Sequence, residues 1–302
     1  MANQITKNDT VIIVMGPTGA GKSTFIDYAV GGGGNGVGHH LKSCTDEIVI
    51  SKTTRGNQSI AFVDTPGFND TNNSDYAILT KIAEFLINAN KKGFKLDRLL
   101  YLHRISDNRM AGSPLKNLEL FASLCGDVAM PSVTIVTTMW RLVRENVAEQ
   151  RLKELKATFW DKMIAAGGRV EHFQDTKDSA LSIALALNDQ TEETTPLLSH
   201  ELTVDRRQLN DTEAGITLNK QLKRLIQDRR EANRRLQEIV DKQTNQTAKD
   251  NLLAEMKEID QKISEAAEKL RKLKLPFSAK VRRFFGAKAA TPDIPGGSGT
   301  PS

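Results

Sequence analysis

Short apolar runs alternate with amphipathic stretches through the first two thirds of the chain. Apolar segments of strand length lie at 11–15, 47–51, 58–63, 96–105, 133–136 and 170–173. Apolar residues recur at helical spacing in the segments 24–30, 74–91, 115–125, 145–166 and 178–187. This alternation predicts an α/β fold with a mostly parallel sheet covered on both faces. The second and third strands flank a polar turn, which predicts an antiparallel hairpin within that sheet.

The period changes beyond a polar linker at 190–196. Apolar positions then step by four and three, first through Leu218, Leu222, Leu225, Arg229, Ala232, Leu236 and Ile239. A second series runs from Leu252 to Leu273, out of register with the first across 243–247. We therefore predict a helical, coiled-coil-like hairpin, with Thr247 as the N-cap of its second arm. The expected domains are 1–190, α/β; 191–275, helical; and 276–302, basic and then disordered.

Composition describes a globular protein of an ordinary kind. Of the 302 residues, 39% are hydrophobic and 26% are charged. The sequence has only two cysteines, Cys44 and Cys125, so it predicts no disulfide framework and favours a reducing, cytoplasmic location. The first ten residues lack a signal-peptide pattern, and no apolar run is long enough to cross a bilayer.

The net charge of +5 is concentrated near the C-terminus. Residues 216–288 carry 19 Lys and Arg against 10 Asp and Glu. Such a segment could contact a membrane, nucleic acid or an acidic partner, although a solvated helical surface is the commoner explanation. We keep membrane contact through the tail as a hypothesis and do not expect nucleic-acid binding.

The segment Gly16–Ser23 reads GPTGAGKS and fits the phosphate-loop pattern G-x-x-x-x-G-K-[ST]. A strand precedes it and a helix follows, which is the context that the motif requires. Its glycines allow a tight turn whose amides approach a phosphate closely, and the helix adds the positive end of its dipole. Lys22 is predicted to reach the β- and γ-phosphates, and the Ser23 hydroxyl to ligate Mg²⁺.

A second motif, Asp64-Thr65-Pro66-Gly67, ends the strand about forty residues later. An Asp at this place can hold Mg²⁺ through water, and the Gly67 amide can sense a γ-phosphate. Alone the motif is weak, because Pro-Gly commonly marks a turn. Together with the phosphate loop, it indicates a nucleotide switch.

Three segments carry a family resemblance: GPTGAGKST, then SCT at 43–45, then FVDTPGF at 62–68. They resemble the translation-factor-related class of P-loop GTPases, and within it the septin-like and immunity-associated-protein-like branch. The run LYLHRISDNRMAGS and the later TTMW are similar to fungal G-domain proteins of that branch. The resemblance covers roughly residues 10–190 and implies Ras-like topology, GTP and GDP as ligands, and Mg²⁺.

The resemblance also implies roles for residues outside the two motifs. Thr45 would be the switch threonine that completes the Mg²⁺ shell, while Thr53 and Thr54 are less favoured. The loop at 175–177 would touch the base. The expected nucleotide-binding residues are Gly16, Pro17, Thr18, Gly19, Ala20, Gly21, Lys22, Ser23, Thr24, Asp64, Gly67, Thr137, Trp140 and Asp175. The expected metal ligands are Ser23, Thr45 and Asp64, and the expected catalytic residues are Lys22, Thr45 and Gly67.

Two positions depart from the family pattern. Where the family has Asn or Thr, Lys, any residue and Asp, the aligned residues run from Thr137 to Trp140, so the Asp that reads guanine is missing. Trp140 could instead stack on the base, form a wall beside it, or simply pack beneath a helix. Phe68 stands where a typical small GTPase has the Gln that orients water, so fast hydrolysis needs a group from elsewhere.

We therefore expect a GTP-binding switch that hydrolyses GTP slowly and self-associates in the triphosphate state. The missing catalytic group could come from Arg55 or Arg109, or from a second molecule. Arg55, His103, Arg104 and Arg109 are predicted to border one edge of the sheet. Two alternatives stay open: a nucleotide-regulated scaffold with incidental hydrolysis, and an ATP-binding protein.

Overall fold

The computed structural model describes residues 5–33, 47–68, 74–107, 110, 112–186, 195–242 and 246–273. Within these residues, one six-stranded sheet has the order β2-β3-β1-β4-β5-β6. Its strands are β1 Asp9–Met15, β2 Val49–Arg55, β3 Gln58–Asp64, β4 Arg98–Arg104, β5 Val133–Thr138 and β6 Arg169–His172. All neighbours are parallel except β2 and β3, which pair antiparallel. The predicted Ras-like α/β architecture and its hairpin are confirmed.

Helices cover both faces of the sheet. Their bounds are α1 Lys22–Val30, α2 Asp75–Lys91, α3 Ser113–Ala129, α4 Glu145–Glu154, α5 Asp161–Ala165, α6 Lys177–Leu185, α7 Leu197–Thr203, α8 Glu213–Lys242 and α9 Gln246–Leu273. Local signals set several of these ends. The Ser74 hydroxyl accepts from the Ala77 amide and begins α2, and Gly31 in the left-handed region ends α1.

Strand β1 lies at the centre and is buried on both faces. Val11, Ile13 and Met15 pack into the larger core, which α2 and α3 cover. Ile12 and Val14 face the smaller core beneath α1 and α6. An unbroken apolar run is therefore needed here, because alternate side chains enter two different cores.

The helix predicted for 145–166 is interrupted. α4 ends at Glu154, and a wider turn follows in which the Trp160 amide donates to the Leu155 carbonyl over 2.9 Å. Trp160 is fully buried by this turn. An apolar period alone does not reveal the extra residue, so the prediction missed the break.

The α/β core does not end at residue 190, where the sequence pattern placed a domain boundary. α7 packs against α2 and α3, and the first part of α8 packs against α3. Leu198, Leu209, Ala214 and Leu218 belong to the larger core. The chain therefore joins the α/β layer again before the helical hairpin leaves it, an arrangement that the polar linker concealed.

The hairpin of α8 and α9 is the predicted helical extension. Asn233 donates to Asp260 over 2.7 Å and links the two arms. On α8 the inward positions drift by one residue from those predicted, to Asn233 and Val240, while Ile239 is half exposed. Thr247 lies inside the first turn of α9, which begins at Gln246, and is not its N-cap. None of the helices that the structure describes combines the length and hydropathy needed to span a bilayer.

Glu201 anchors the long helix α8 to the core. Its side chain is only 1% exposed and accepts a hydrogen bond from Arg207 at 2.9 Å. Its two carboxylate oxygens also accept from the Glu213 backbone amide, at 3.1 and 3.2 Å. Burial raises the pKa of Glu201, and the Glu213 amide and the Arg207 charge oppose that rise. Thr212 adds a cap, because its hydroxyl accepts from the Gly215 amide.

The junction predicts a measurable loss of stability. Glu201→Ala removes the acceptor of one buried amide and one guanidinium, so urea unfolding should show a free-energy loss of about 1–3 kcal/mol. Glu231, which pairs with Arg235 on the exposed arm, is the matched control, and Glu231→Ala should change stability by less than about 0.5 kcal/mol. Equal effects of the two substitutions would contradict an anchoring role.

Candidate functional site

The loop Gly16–Gly21 joins β1 to α1 at the carboxyl edge of the sheet. Gly16, Gly19 and Gly21 have φ of 143°, 78° and 88°. A Cβ on Gly16 would lie 2.5 Å from the Leu102 carbonyl oxygen of β4. Both the backbone angle and the close approach therefore require glycine at position 16.

The Lys22 side chain folds back onto the phosphate loop and bonds to its backbone. Its ammonium donates to the Gly16 and Pro17 carbonyl oxygens at 3.2 and 3.1 Å, and the residue is 7% exposed. Lys22 is also the first residue of α1, so its charge lies beside the positive end of the helix dipole. This places a cation and a helix N-terminus around one concave loop, which suits a chain of phosphates. Thr24 follows in the first turn of α1 and is half-buried.

Ser23 and Asp64 bring two hard oxygen ligands together. The Ser23 hydroxyl donates to Asp64 Oδ2 over 2.7 Å. Asp64 reaches this place because β3 runs parallel to β1, with Asp64 opposite Val14. A hydroxyl and a carboxylate at one edge of the sheet are the kind of hard oxygen ligands that Mg²⁺ prefers.

The segment after Asp64 is bonded directly to the phosphate loop. The Thr18 amide donates to the Phe68 carbonyl over 3.0 Å, and the Thr18 hydroxyl donates to the Gly67 carbonyl over 3.2 Å. A Cβ on Gly67 would lie 2.5 Å from the Thr18 hydroxyl. Phe68 is fully buried in the larger core. The phosphate loop and the segment 64–68 are therefore joined by direct hydrogen bonds.

The second loop of the site follows β5. The Thr138 hydroxyl donates to the Ala20 carbonyl over 2.9 Å and so holds the phosphate loop from the side. The Thr137 hydroxyl instead donates to the backbone carbonyl of Glu171 in β6 over 3.0 Å. It also accepts from the Trp140 indole N–H at 3.1 Å. Thr138 therefore contacts the phosphate loop with its side chain, while the side chain of Thr137, the residue predicted to bind nucleotide, lies between β6 and Trp140.

Trp140 forms a wall on the β6 side. Its ring stacks on His172 with centroids 4.0 Å apart and planes 25° apart, and it packs partly against the larger core. Burial lowers the pKa of His172, and the nearby Asp175 opposes that shift. Asp175 lies in the loop after β6 and pairs with Arg141 over 3.4 Å. Sequence reasoning missed His172 and Arg141, although each adjoins a strand end at the carboxyl edge.

Among the described residues of the charged group predicted to border the site, Arg104 lies close to the phosphate loop. A Cβ on Gly19 would lie 3.3 Å from Arg104 Nη1, so this guanidinium rests against the loop. Arg104 pairs with Asp107 over 3.0 Å and is 33% exposed. Arg151 donates to the Ile105 carbonyl over 3.0 Å and holds the connecting turn.

Two other members of the predicted group are placed differently. Arg55 ends β2 opposite Gln58, at the edge of the sheet away from Asp64, because β2 and β3 are antiparallel. His103 is only 2% exposed, and burial lowers its pKa to about 4, so its imidazole is inaccessible to a ligand and neutral at pH 7. Arg109 and Thr45 lie outside the described residues. Thr53 and Thr54 lie in β2 opposite Ile60 and Ser59, several residues from the site edge.

Residues 11–117 match the family model described as 50S ribosome-binding GTPase. This match covers the phosphate loop and the 64–67 motif, and the geometry above agrees with it. Residues 11–117 are therefore similar to this GTPase family both in sequence and in the placement of the two motifs. Among curated proteins, none matches the sequence.

Several solved structures are similar at low identity. Toc33 from Arabidopsis thaliana, in complex with Mg²⁺ and GMPPNP, is 18% identical, with 65% of this chain and 82% of that chain covered and a TM-score of 0.45. A bacterial selenocysteine-specific elongation factor is 14% identical, with 60% and 30% covered and a TM-score of 0.40. The fold is defined by the strand order described above and not by these similarities.

The steric requirement at Gly16 predicts a difference between two glycines. Gly56 also has a positive φ, of 58°, but nothing lies within 4 Å of its Cβ position. Gly56→Ala should therefore cost only the strain of a left-handed alanine, about 1–2 kcal/mol. Gly16→Ala should cost more by about 1–3 kcal/mol, because β4 must also move. Urea unfolding of both variants measures this difference, and equal losses would contradict the close contact.

Proposed function

We propose that this protein is a Mg²⁺-dependent, GTP-binding switch that hydrolyses GTP slowly. The observation that carries the proposal is the convergence of the Lys22 ammonium, the Ser23 hydroxyl and the Asp64 carboxylate on one glycine loop. Each group matches one need of a nucleoside triphosphate with its metal. Membership of the septin-like and immunity-associated-protein-like branch is part of this proposal.

The residues present fit a magnesium ion. Ser23 would supply a direct oxygen ligand, and Asp64 would hold the metal through water. We assign the remaining switch ligand to Thr45. The chain enters β2 with Val49 opposite Asp64, so Thr45 is only four residues before a strand that begins at the site. The metal would neutralise charge on the β- and γ-phosphates.

The chain's own residues explain why hydrolysis should be slow. Lys22 and the loop amides stabilise charge that develops on the phosphates, which is the main contribution to phosphoryl transfer. Phe68 is buried in the core and offers no group that could orient water. Arg104 lies beside the loop and is the described arginine best placed to help.

Self-association in the GTP state is the second part of the proposal. A GTP-dependent contact needs a surface that the γ-phosphate can organise, and the 64–68 segment is bonded to the loop that would hold it. Such a contact would form at the carboxyl edge of the sheet, where Arg104 is partly exposed. An arginine supplied to the phosphates across such a contact can raise the rate of hydrolysis by roughly a thousandfold or more.

A nucleotide-regulated scaffold is the second candidate function. The hairpin of α8 and α9 favours it, because α9 and the part of α8 beyond its contact with α3 present a largely exposed surface away from the core. In that case assembly would be the output and hydrolysis incidental. The cytoplasmic location stays a prediction, as does membrane contact through residues 276–302, which lie outside the described residues.

Nucleotide binding should depend on the two loop side chains. Lys22→Ala removes a charged partner of the phosphates and should weaken Mg²⁺·GTP binding by about two orders of magnitude. Ser23→Ala should abolish the gain in affinity that Mg²⁺ gives. Calorimetry measures both, and Lys257→Ala on the exposed arm is the control that should bind normally. Unchanged affinity in a folded Lys22→Ala variant would contradict the site.

Turnover should depend on Arg104 and on protein concentration. In the wild type we expect specific activity to rise with concentration and a non-hydrolysable GTP analogue to raise the light-scattering mass. Arg104→Ala should lower the rate at every concentration, by about tenfold or more. Arg55→Ala, at the opposite edge, should match the wild type. Flat specific activity with an unchanged monomer mass would contradict self-association.

A further inference from the structure

A cleft of about 370 Å³ opens beyond the carboxyl ends of β5 and β6. Trp140, Arg141, His172 and Asp175 line it together with neighbouring residues. It adjoins the phosphate site, because Thr138 of β5 bonds to the loop and Phe173 packs edge-on to Phe25 of α1 with centroids 5.0 Å apart. Its volume and its aromatic lining suit a small planar group such as a nucleobase.

Contacts within the chain support the walls of the cleft in the absence of a ligand. The Trp140 indole is held by its bond to Thr137 and by its stack on His172. The loop after β6 is held at both sides, since the Phe173 amide donates to the Thr137 carbonyl over 3.0 Å and Thr176 caps α6. A preformed pocket loses little entropy when a rigid ring enters it.

Asp175 occupies an unusual backbone position in this loop. Its φ is 53°, in the left-handed region that few residues other than glycine adopt, although Asp tolerates it better than most. Its side chain is 25% exposed and pairs with Arg141, which is 75% exposed and therefore well screened by water. Such a position, maintained by the bonds around it, presents the carboxylate at the mouth of the cleft.

We propose that the Asp175 carboxylate selects guanine over adenine in this chain, replacing the acid that is missing after β5. The inference rests on the proposed nucleotide site. Guanine presents its N1–H and N2–H groups as adjacent donors, and one carboxylate can accept from both. Adenine presents an acceptor at N1, which a carboxylate repels. Glu145 also lines the cleft, but it is exposed at the first residue of α4.

Exchanging the acceptor for an amide tests this role with a gain as well as a loss. In Asp175→Asn, GTP affinity should fall by about tenfold to a hundredfold, because one donor of the base loses its acceptor. Affinity for xanthosine triphosphate should rise, since xanthine carries an oxygen at C2 that can accept from the asparagine amide. Asp178→Asn, the same exchange at an exposed acid in the first turn of α6 outside the cleft lining, is the matched control and should leave both affinities unchanged. Competition binding against a fluorescent GTP analogue measures each variant.

The outcomes separate this inference from the site itself. A wild type that binds GTP with Mg²⁺, together with an Asp175→Asn variant that keeps the same preference for GTP over ATP and xanthosine triphosphate, overturns the inference alone. Preference of the wild type for ATP also overturns it. Failure of the wild type to bind any triphosphate overturns the proposed function together with the inference. A thermal melt that matches the wild type establishes that Asp175→Asn is folded.

Discussion

The site depends on one steric constraint, the close packing of the phosphate loop between β4 and the segment 66–68. Gly16 lies against the Leu102 carbonyl, and Gly67 lies against Thr18, with no room for a side chain at either place. These contacts fix the loop to the sheet. They also bond it to Phe68, so the segment that should sense a γ-phosphate touches the loop that holds it.

This packing has a consequence for catalysis. Phe68 follows Gly67 directly and is buried in the core, where it anchors the segment but offers no polar group to a water molecule. Under the proposed function, the chain therefore has the phosphate-binding loop but no water-orienting side chain at position 68. Such a combination is suited to a protein whose bound state matters more than its turnover, and Arg104 beside Gly19 is the charge best placed to complete it.

The order of strands and helices and the phosphate loop could be predicted from the sequence, because strands buried on both faces and a glycine-rich loop leave strong local signals. The prediction failed where tertiary contacts decide. Packing partners far along the chain decide three features: the wide turn before Trp160, the packing of α7 on the core, and the shift of the inward-facing positions of α8 to Asn233. Likewise, only the antiparallel pairing with β3 shows that Arg55 lies at the wrong edge.

Amide hydrogen exchange with and without Mg²⁺ and a non-hydrolysable GTP analogue tests the central claim most directly. If the nucleotide binds as proposed, protection should increase in residues 16–23 and 64–68, because the loop amides bind phosphate and the adjoining segment is bonded to the loop. Exchange in α9 should stay unchanged. Binding accompanied by protection elsewhere, with residues 16–23 unaffected, would contradict the proposed site.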